Sequence, residues 1–232
     1  MLIDNFDRIA RLMEIKSPDD FYFVQITKRW KDNKDKSGAE DDRTKGKLAG
    51  NYHGGAWFLK SWRVHSPEEL MKLKPEIIKI CDENNARAYI TVNTRSEKET
   101  DSFIKIYQSK YPANDARHRF ASEIVPGQAK TGESWKNVRP RLILDIDTND
   151  KKVWSEVFRM LDYYRISILD KYETASGGLH IILPDKNHRG LWAFKKEAQK
   201  FDKFKDLGRN ALVHANEDAK LILYSNVDTT GY

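Results

Sequence analysis

Residues 141–147 read RLILDID, and residues 176–184, about thirty positions later, read SGGLHIILP. Each contains a short apolar run bounded by charged or turn-forming residues, which favours two buried β-strands. The surrounding elements follow the order β-α-β-β-α-β, which predicts an α+β fold of the ferredoxin-like or RRM-like type. The other elements in this order are a helix over 150–165, a strand over 166–175, a helix over 190–204 and a last strand, AKLILYS, over 219–225.

In a sheet of this type the first strand lies between the third and the fourth strand and is antiparallel to both. The start of AKLILYS is therefore expected beside the end of RLILDID. Alternate residues of a strand lie on opposite faces, so Asp145, Asp147 and His180 are expected to gather on one open face, together with Ile143. The residues expected to pack against the helices are Leu142, Leu144, Ile146, Leu179, Ile181 and Leu183.

The 232 residues are enough for one large domain or for two small modules that share a core. We expect a single catalytic domain over 1–232, in which an N-terminal αβ module over 1–138 packs with an RRM-like module over 139–232. In the first module the strand FYFVQITKRW, residues 21–30, leads into a polar, glycine-containing segment over 31–54. That segment is expected to be poorly ordered without nucleic acid.

The composition is typical of a charged, water-soluble protein. Hydrophobic residues make up 39% and charged residues 33% of the chain, and no apolar run approaches the roughly 20 residues that span a bilayer. Residues 1–16 are interpreted as an amphipathic helix and not a signal peptide, because acids interrupt their apolar pattern. These features predict a cytoplasmic protein without a membrane partner. Cys81 is the single cysteine, which excludes a disulfide within this chain, and its apolar neighbours predict a buried thiol.

Asp145 and Asp147 stand two residues apart at the end of a predicted strand, where two carboxylates can hold one or two divalent metal ions. Mg²⁺ prefers hard oxygen ligands of this kind and leaves room for substrate phosphates. Two metal ions in one site can activate an attacking hydroxyl group and stabilise the leaving oxygen of a phosphoryl transfer. Taken alone, the pattern fits equally well two acids that begin a polar loop.

The segment SGGLH, residues 176–180, combines a tight turn with side chains that donate hydrogen bonds. Gly177 and Gly178 allow a phosphate to approach the backbone amides, Ser176 can donate from its hydroxyl group, and His180 can donate from a ring nitrogen. A plain hairpin turn with a surface histidine is the simpler alternative for the segment in isolation. Beside the two acids of the neighbouring strand, the segment instead indicates a catalytic, nucleotide-binding site.

An apolar strand ending in DID, followed by SGGLH before a second apolar strand, resembles the first two motifs of the archaeo-eukaryotic primase (AEP) superfamily. This superfamily contains primase small subunits, primase-polymerases and the polymerase domains of bacterial end-joining ligases. The resemblance covers residues 139–228 in detail, and the preceding region only in the order and size of its elements. It implies catalytic Mg²⁺ or Mn²⁺ on Asp145 and Asp147, and it implies that the phosphates of the incoming nucleotide are held by Ser176, Gly177, Gly178 and His180.

The third metal-binding acid of the superfamily has two candidates in this chain. Asp218 stands at the start of the predicted last strand, beside the end of the DID strand, and is preferred on geometry. Asp228 follows the apolar run of LYSNVD, which is closer to the superfamily's pattern. The zinc-binding insertion of many relatives is absent, since Cys81 is the single cysteine, and this favours chain extension over autonomous primer initiation.

Basic and aromatic residues supply candidate contacts with nucleic acid. The chain has 41 Lys and Arg against 35 Asp and Glu, and the formal charge of +6 is compatible with a polyanionic partner. Cations would contact phosphates and tryptophan would stack on bases, although each residue also fits a solvated surface position. The candidates are Lys28, Arg29, Trp30, Asn93, Arg95, Arg117 and Arg119.

The resemblance therefore implies a primase-polymerase, a nucleotidyltransferase that joins dNTPs or NTPs on a DNA template, with an RNA or DNA primer. Its small size suggests replication of a phage, a plasmid or another mobile element, with a helicase or other replication proteins as further partners. The alternatives are a metal-dependent nuclease and a catalytically inactive, RRM-like nucleic-acid-binding module. Glycosyl transfer through a D-x-D motif does not explain SGGLH.

Overall fold

The structure, a computed structural model, divides the chain into two compact units. The first unit combines Met1–Lys136 with Lys220–Tyr232, and the second unit is Asn137–Ala219. Both units mix helices with antiparallel sheets, as expected of an α+β protein. The residues that the structure describes are 2–29, 32, 52–53, 56–127, 140–174, 177–185, 188–198, 213–216 and 220–227.

The first unit is built on a seven-stranded sheet within the described residues. Its strands are β1 (Ile3–Asp4), β2 (Asp20–Arg29), β3 (Tyr52–His53), β4 (Ala56–Val64), β5 (Arg87–Thr91), β6 (Arg95–Ser96) and β11 (Lys220–Ser225). The order across the sheet is β1-β11-β5-β2-β4-β3, β6 pairs with β2, and every pairing is antiparallel. Aromatic and β-branched residues dominate the long, buried strand β2, which suits its position inside the sheet.

Serine side chains cap the two longest helices described in the first unit. The described helices of this unit are α1 (Phe6–Leu12), α2 (Pro67–Asn84), α3 (Glu97–Gln108), α4 (Ala116–Arg119) and α5 (Ala121–Ile124). The Ser66 side chain accepts a hydrogen bond from the Glu69 amide at the start of α2, and Ser96 caps α3 in the same way. Pro75 lies inside α2, which nevertheless continues to Asn84.

Cys81, on the inner face of α2, is buried, which confirms the prediction of a buried thiol. Burial raises the pKa of this thiol to about 12, and the neighbouring Asp82 carboxylate adds to the effect. A thiol with so high a pKa remains protonated at physiological pH, so Cys81 acts as a small apolar core residue.

A buried ion pair fixes the chain just beyond β2 to the start of β5. The Arg87 guanidinium donates to both carboxylate oxygens of Asp32, at 2.6 and 2.8 Å, and the Asn85 side-chain amide donates to the Asp32 carbonyl oxygen at 2.8 Å. Two parallel, charge-assisted hydrogen bonds offset part of the cost of burying both charges. The remainder of the segment 31–54, predicted to be poorly ordered, lies outside the described residues, apart from Tyr52 and His53.

The second unit holds four strands and two helices in the part of the chain that the structure describes. They are β7 (Leu142–Ile146), α6 (Lys151–Tyr163), β8 (Asp170–Glu173), β9 (Leu179–Leu183), α7 (Arg189–Ala198) and β10 (Val213–Asn216). The strand order is β10-β7-β9-β8, and each neighbouring pair is antiparallel. Of the helices in the described ranges of either unit, none is long and apolar enough to cross a membrane.

One face of the second sheet packs against both α6 and α7. The core on this face includes Leu142, Leu144 and Ile146 from β7, together with Leu179, Ile181 and Leu183 from β9, which confirms the predicted alternation. The helices contribute Val153, Trp154, Val157, Met160, Leu161, Leu191 and Phe194. The acids of the DID motif therefore lie at positions whose side chains leave the sheet on the other face.

The fourth strand of this sheet is not the predicted one. AKLILYS forms β11, which pairs with β1 and β5 in the first unit, and Val213–Asn216 takes the position beside β7. The predicted RRM-like module, 139–232, extends too far at its C-terminal end, since 220–227 belongs to the first unit. A short apolar strand can pair within either sheet, so its local pattern does not select its partner. The geometric reason for preferring Asp218 as a metal ligand is lost with this correction.

Asp32→Ala should destabilise the protein by about 3–5 kcal/mol, because it leaves the Arg87 guanidinium buried without its carboxylate partner. The double variant Asp32→Leu/Arg87→Met should lose less, since it removes both charges and keeps apolar volume. Urea-induced unfolding measures the free energies. As a control, Lys60→Ala breaks an exposed ion pair with Glu76 and should cost less than about 1 kcal/mol. An equally small loss for Asp32→Ala would contradict a structural role for the buried pair.

Candidate functional site

Three side chains form a row across the sheet of the second unit. Asp145 on β7 lies opposite His180 on β9, and His180 lies opposite Tyr172 on β8. The Oδ1 atom of Asp145 is 3.2 Å from Nε2 of His180. On the other side of the imidazole ring, Nδ1 of His180 is 3.0 Å from the hydroxyl oxygen of Tyr172. Each ring nitrogen of His180 therefore has a polar neighbour within the row.

The row is buried at its phenol end and accessible at its carboxylate end. Tyr172 is 5% and His180 8% exposed, whereas the side chain of Asp145 is 36% exposed. Asp147, two residues beyond Asp145, is exposed. A ligand from solvent therefore meets the carboxylates first and the imidazole behind them.

The sequence predicts that the whole of this face is open, and the structure corrects that prediction in part. Ile143 and Ile182 lie opposite each other, two residues along their strands from Asp145 and His180, and therefore on the same face. Both isoleucines are completely buried. Among the described side chains of β7 and β9 on this face, Asp145 is the accessible one, at the end that carries the acids.

The turn before β9 brings two glycines against the strand that carries the acids. Gly177 has a φ of +80°, a left-handed conformation that glycine adopts without strain. A Cβ atom at Gly178 would lie 2.4 Å from the carbonyl oxygen of Ile146, so the close approach requires glycine. The amides of both glycines donate to Thr174, at 2.9 and 3.0 Å, and are engaged within the turn. Ser176, the predicted phosphate donor, lies outside the described residues.

The loop that follows Asp147 is anchored to α6. The indole Nε1 of Trp154 donates to the carbonyl oxygen of Thr148 at 2.7 Å. The Asp150 amide donates to the Thr148 hydroxyl oxygen at 3.2 Å, and the Asp150 carboxylate caps the helix by accepting from the Lys152 amide. These contacts fix the backbone on the C-terminal side of Asp147 and restrict the positions that its carboxylate can take.

Asp145 and Asp147 are the predicted metal ligands that fall within the described residues, whereas Asp218 and Asp228 lie outside them. Across the described ranges, no group of three or more His, Cys, Asp and Glu side chains is arranged to hold a metal ion. Two carboxylates are still a donor set that suits Mg²⁺, because this ion commonly takes one or two carboxylates and completes its shell with water and phosphate oxygens. The exposure of both acids leaves room for such ligands.

Two residues of this region are not identified from the sequence. Tyr172 is the buried residue of the strand DKYE, between the exposed Lys171 and Glu173, and this alternation is the signal that places it on the His180 face. His214 stands opposite Asp145 in the register of β10 with β7. The sequence pattern does not point to it, because AKLILYS is the strand predicted beside β7.

The predicted nucleic-acid contacts at Asn93 and Arg95 lie inside the first unit. Asn93 is 2% exposed and Arg95 is completely buried. The Arg95 guanidinium donates to the carbonyl oxygens of Asn93, Thr94 and Pro126, at 3.0 to 3.3 Å. These bonds tie the segment before α3 to the segment after α5, and the burial does not favour a contact between Arg95 and nucleic acid.

The other residues predicted to contact nucleic acid differ in their exposure and in their hydrogen bonds within the protein. Lys28 and Arg29 are half-buried at the end of β2, and Arg119 is exposed on α4, whereas Trp30 lies outside the described residues. Arg117 is exposed but donates to both carboxylate oxygens of Asp115, at 2.6 and 3.0 Å. This hydrogen bonding lowers the pKa of Asp115 to about 2.

Gly178→Ala should displace His180, because the added methyl group would meet the Ile146 carbonyl oxygen at 2.4 Å. We expect a stability loss of about 1–3 kcal/mol and shifted NMR resonances of the imidazole. Gly190→Ala is the matched control, since its methyl group would meet the Tyr164 carbonyl oxygen at the same 2.4 Å, at the start of α7. The control should lose similar stability and leave the imidazole resonances in place. Equal shifts in both variants would show that the turn does not position the histidine.

No protein-family model, no curated protein and no solved structure matches this chain. The resemblance to the primase superfamily therefore rests on the two motifs themselves.

Proposed function

We propose that the protein is a metal-dependent nucleotidyltransferase of the primase-polymerase type, which adds dNTPs or NTPs to a primer on a DNA template. The observation that carries the proposal is the pairing of Asp145 with His180 across β7 and β9, at 3.2 Å, with Asp147 two residues further on. This arrangement combines hard oxygen ligands for a divalent metal with an adjacent hydrogen-bond donor for phosphate. The chemistry of this arrangement is the chemistry that the resemblance of DID and SGGLH to the primase motifs implies.

We infer that the second unit is an RRM-like module of the kind found in the primase superfamily. Its strand order, β10-β7-β9-β8, with both helices against one face, is the order expected of a β-α-β-β-α-β module. RRM modules that bind RNA carry stacking aromatics on their central strands. The corresponding positions of β7 and β9 hold Ile143, Asp145, His180 and Ile182. Asp145 and His180 suit metal and phosphate chemistry, and the two isoleucines offer no aromatic ring for base stacking, which argues against an inactive binding module.

Asp145 and Asp147 would hold Mg²⁺ or Mn²⁺. When bound, such ions activate the 3′-hydroxyl group of the primer and stabilise the charge on the leaving pyrophosphate. The protein's own contribution is to fix the two carboxylates before the substrate arrives. The register with β9 fixes Asp145, and the loop anchored by Trp154 restrains the chain beyond Asp147.

His180 would donate a hydrogen bond to a phosphate of the incoming nucleotide. Its Nε2 atom already lies beside the carboxylate of Asp145, so a phosphate held next to the acids is within reach of the same atom. A hydrogen bond to a charged phosphate is about twice as strong as one between neutral groups. The burial of His180 strengthens the bond further, because little water competes for it.

The template and primer would be bound through their phosphates by cations of the first unit. Lys28, Arg29 and Arg119 are at least partly exposed, and the chain as a whole carries a formal charge of +6. Phosphate contacts do not depend on the nucleotide sequence, and the affinity that they provide falls as the salt concentration rises. They suit an enzyme that must move along any template, such as a replication protein of a phage or plasmid.

A metal-dependent nuclease is the second candidate, because the same acids and histidine can serve the cleavage of a phosphodiester. Incubation with an end-labelled primer-template, unlabelled dNTPs and Mg²⁺ or Mn²⁺ separates the two activities. A nucleotidyltransferase lengthens the primer and leaves the template intact. A nuclease shortens one or both strands, and that result would overturn the proposal.

Asp145→Ala and Asp147→Ala should each lower the rate of nucleotide addition by about a thousandfold or more, because loss of a metal ligand removes several kcal/mol of transition-state stabilisation. The matched control is Asp162→Ala, which removes an exposed carboxylate from α6. It should keep the wild-type rate. Thermal unfolding verifies that all three variants fold. Near-normal primer extension by both site variants would end the metal-site proposal.

His180→Ala should raise the KM for the nucleotide by about 10- to 100-fold, the loss expected for one charge-assisted hydrogen bond. Template affinity should stay unchanged, since cations along the backbone supply it. Arg119→Ala should show the reverse pattern, with weaker template binding and an unchanged KM. Steady-state nucleotide titrations and salt-matched DNA-binding curves measure both quantities. If His180→Ala weakened template binding and left KM unchanged, His180 would belong to the template path.

A further inference from the structure

The edge strand β8 contributes one buried side chain to the face that carries the site. Lys171 and Glu173 are exposed, and Nζ of Lys171 lies 4.4 Å from the centre of the Phe158 ring on α6, which places these residues on the helix side. Tyr172 lies on the opposite face. Its ring centre is 5.2 Å from that of His180, with an angle of 70° between the planes. Both rings are therefore packed edge to face, and the hydroxyl oxygen reaches Nδ1 at 3.0 Å.

The two neighbours of the imidazole determine which nitrogen carries the proton. A neutral imidazole has one N–H donor and one nitrogen acceptor, whereas an ionised carboxylate only accepts. Because the Asp145 carboxylate lies 3.2 Å from Nε2, a lone pair on Nε2 would face negative charge. The arrangement favours a proton on Nε2, and Nδ1 then accepts a hydrogen bond. The phenol group of Tyr172 can donate that bond.

We propose that Tyr172 is a positioning residue, whose hydroxyl group donates to Nδ1 of His180 and thereby keeps a proton on Nε2, directed at the phosphates of the nucleotide. The choice of phosphate as the acceptor rests on the proposed function, whereas the tautomer does not. With the opposite tautomer, Nε2 would present a lone pair to a phosphate oxygen and repel it. A partner behind a functional imidazole commonly fixes both the tautomer and the orientation of the ring in this way.

Because the pair is buried, the Tyr172 hydroxyl group is hard to replace as the hydrogen-bond partner of Nδ1. Tyr172 and His180 are 5% and 8% exposed, so little water is present to replace the phenol group. An unpaired nitrogen in such a place carries the full penalty of its lost hydration. Without the hydroxyl group, the Asp145 carboxylate still favours a proton on Nε2, but the ring loses the second of the two contacts that fix its tautomer, and fewer molecules present an Nε2 donor at any time.

The test removes the hydroxyl group and keeps the ring. Tyr172→Phe should raise the KM for the nucleotide, and the dissociation constant of an unreactive nucleotide analogue, by about three- to tenfold, the range for one neutral hydrogen bond. Template affinity should stay unchanged. In the His180→Ala background the same substitution should have no further effect, because the two residues act as one. Tyr163→Phe, which removes an exposed hydroxyl group from α6, is the matched control and should change none of these values.

Nitrogen NMR of the imidazole provides a measurement that needs neither nucleotide nor activity. At a pH above which the imidazole nitrogen resonances no longer move, wild-type His180 should show the proton on Nε2, and Tyr172→Phe should shift the tautomer ratio. An unchanged ratio would overturn the inference, and so would equal losses of nucleotide affinity from Tyr172→Phe with and without His180. If the wild-type protein bound no nucleotide, the proposed function would fail, while the tautomer measurement would still decide whether Tyr172 positions the ring.

Discussion

Strand β7 pairs with β9 so that Leu144 lies opposite Ile181 and Asp145 lies opposite His180. Since side chains alternate between the faces of a sheet, this one register places the apolar pair under the helices and the polar pair on the other face. A slip of one residue would carry Asp145 into the core, where an unpaired charge costs several kcal/mol. The hydrophobic core therefore fixes the geometry of the site, and the polar residues need contribute little stability of their own.

The turn before β9 extends this constraint to the chain between the two motifs. Because Gly178 approaches the carbonyl of Ile146 more closely than any larger residue could, the turn packs directly against the backbone that joins the two acids. The hydrogen bond from the Gly178 amide to the Thr174 hydroxyl oxygen satisfies an amide that would otherwise be buried without a partner. The DID and SGGLH motifs are far apart in the sequence and form one packed element in the structure. Gly177 is thus explained by its left-handed backbone and Gly178 by close packing, whatever part they take in binding a nucleotide.

Local patterns predict the centre of the second unit well and its edges poorly. The placement of Leu144 and Asp145 on opposite faces follows from the period of a strand, which is a local property. The partner of AKLILYS is decided by contacts with β1 and β5, which are distant in the chain, and no local pattern contains that information. The burial of Ile143 has the same origin, because a sequence does not say which faces of a sheet are covered. Arg95 shows a further ambiguity, since a guanidinium that fits phosphate oxygens fits backbone carbonyl oxygens equally well.

In the row of Asp145, His180 and Tyr172, the imidazole of His180 lies between a buried partner, Tyr172, and an accessible one, Asp145. The phenol group is buried and held by the sheet, whereas the carboxylate stands at the accessible end and is needed by any metal ion that binds there. A phosphate oxygen that takes the place of the carboxylate beside Nε2 replaces one negatively charged acceptor with another, so the buried donor is never left unpaired. Such an exchange would need a movement of one carboxylate and no rearrangement of the strands. Under the proposed function, such a site would be held ready by its core, and only the partner of a single nitrogen would change when the nucleotide bound.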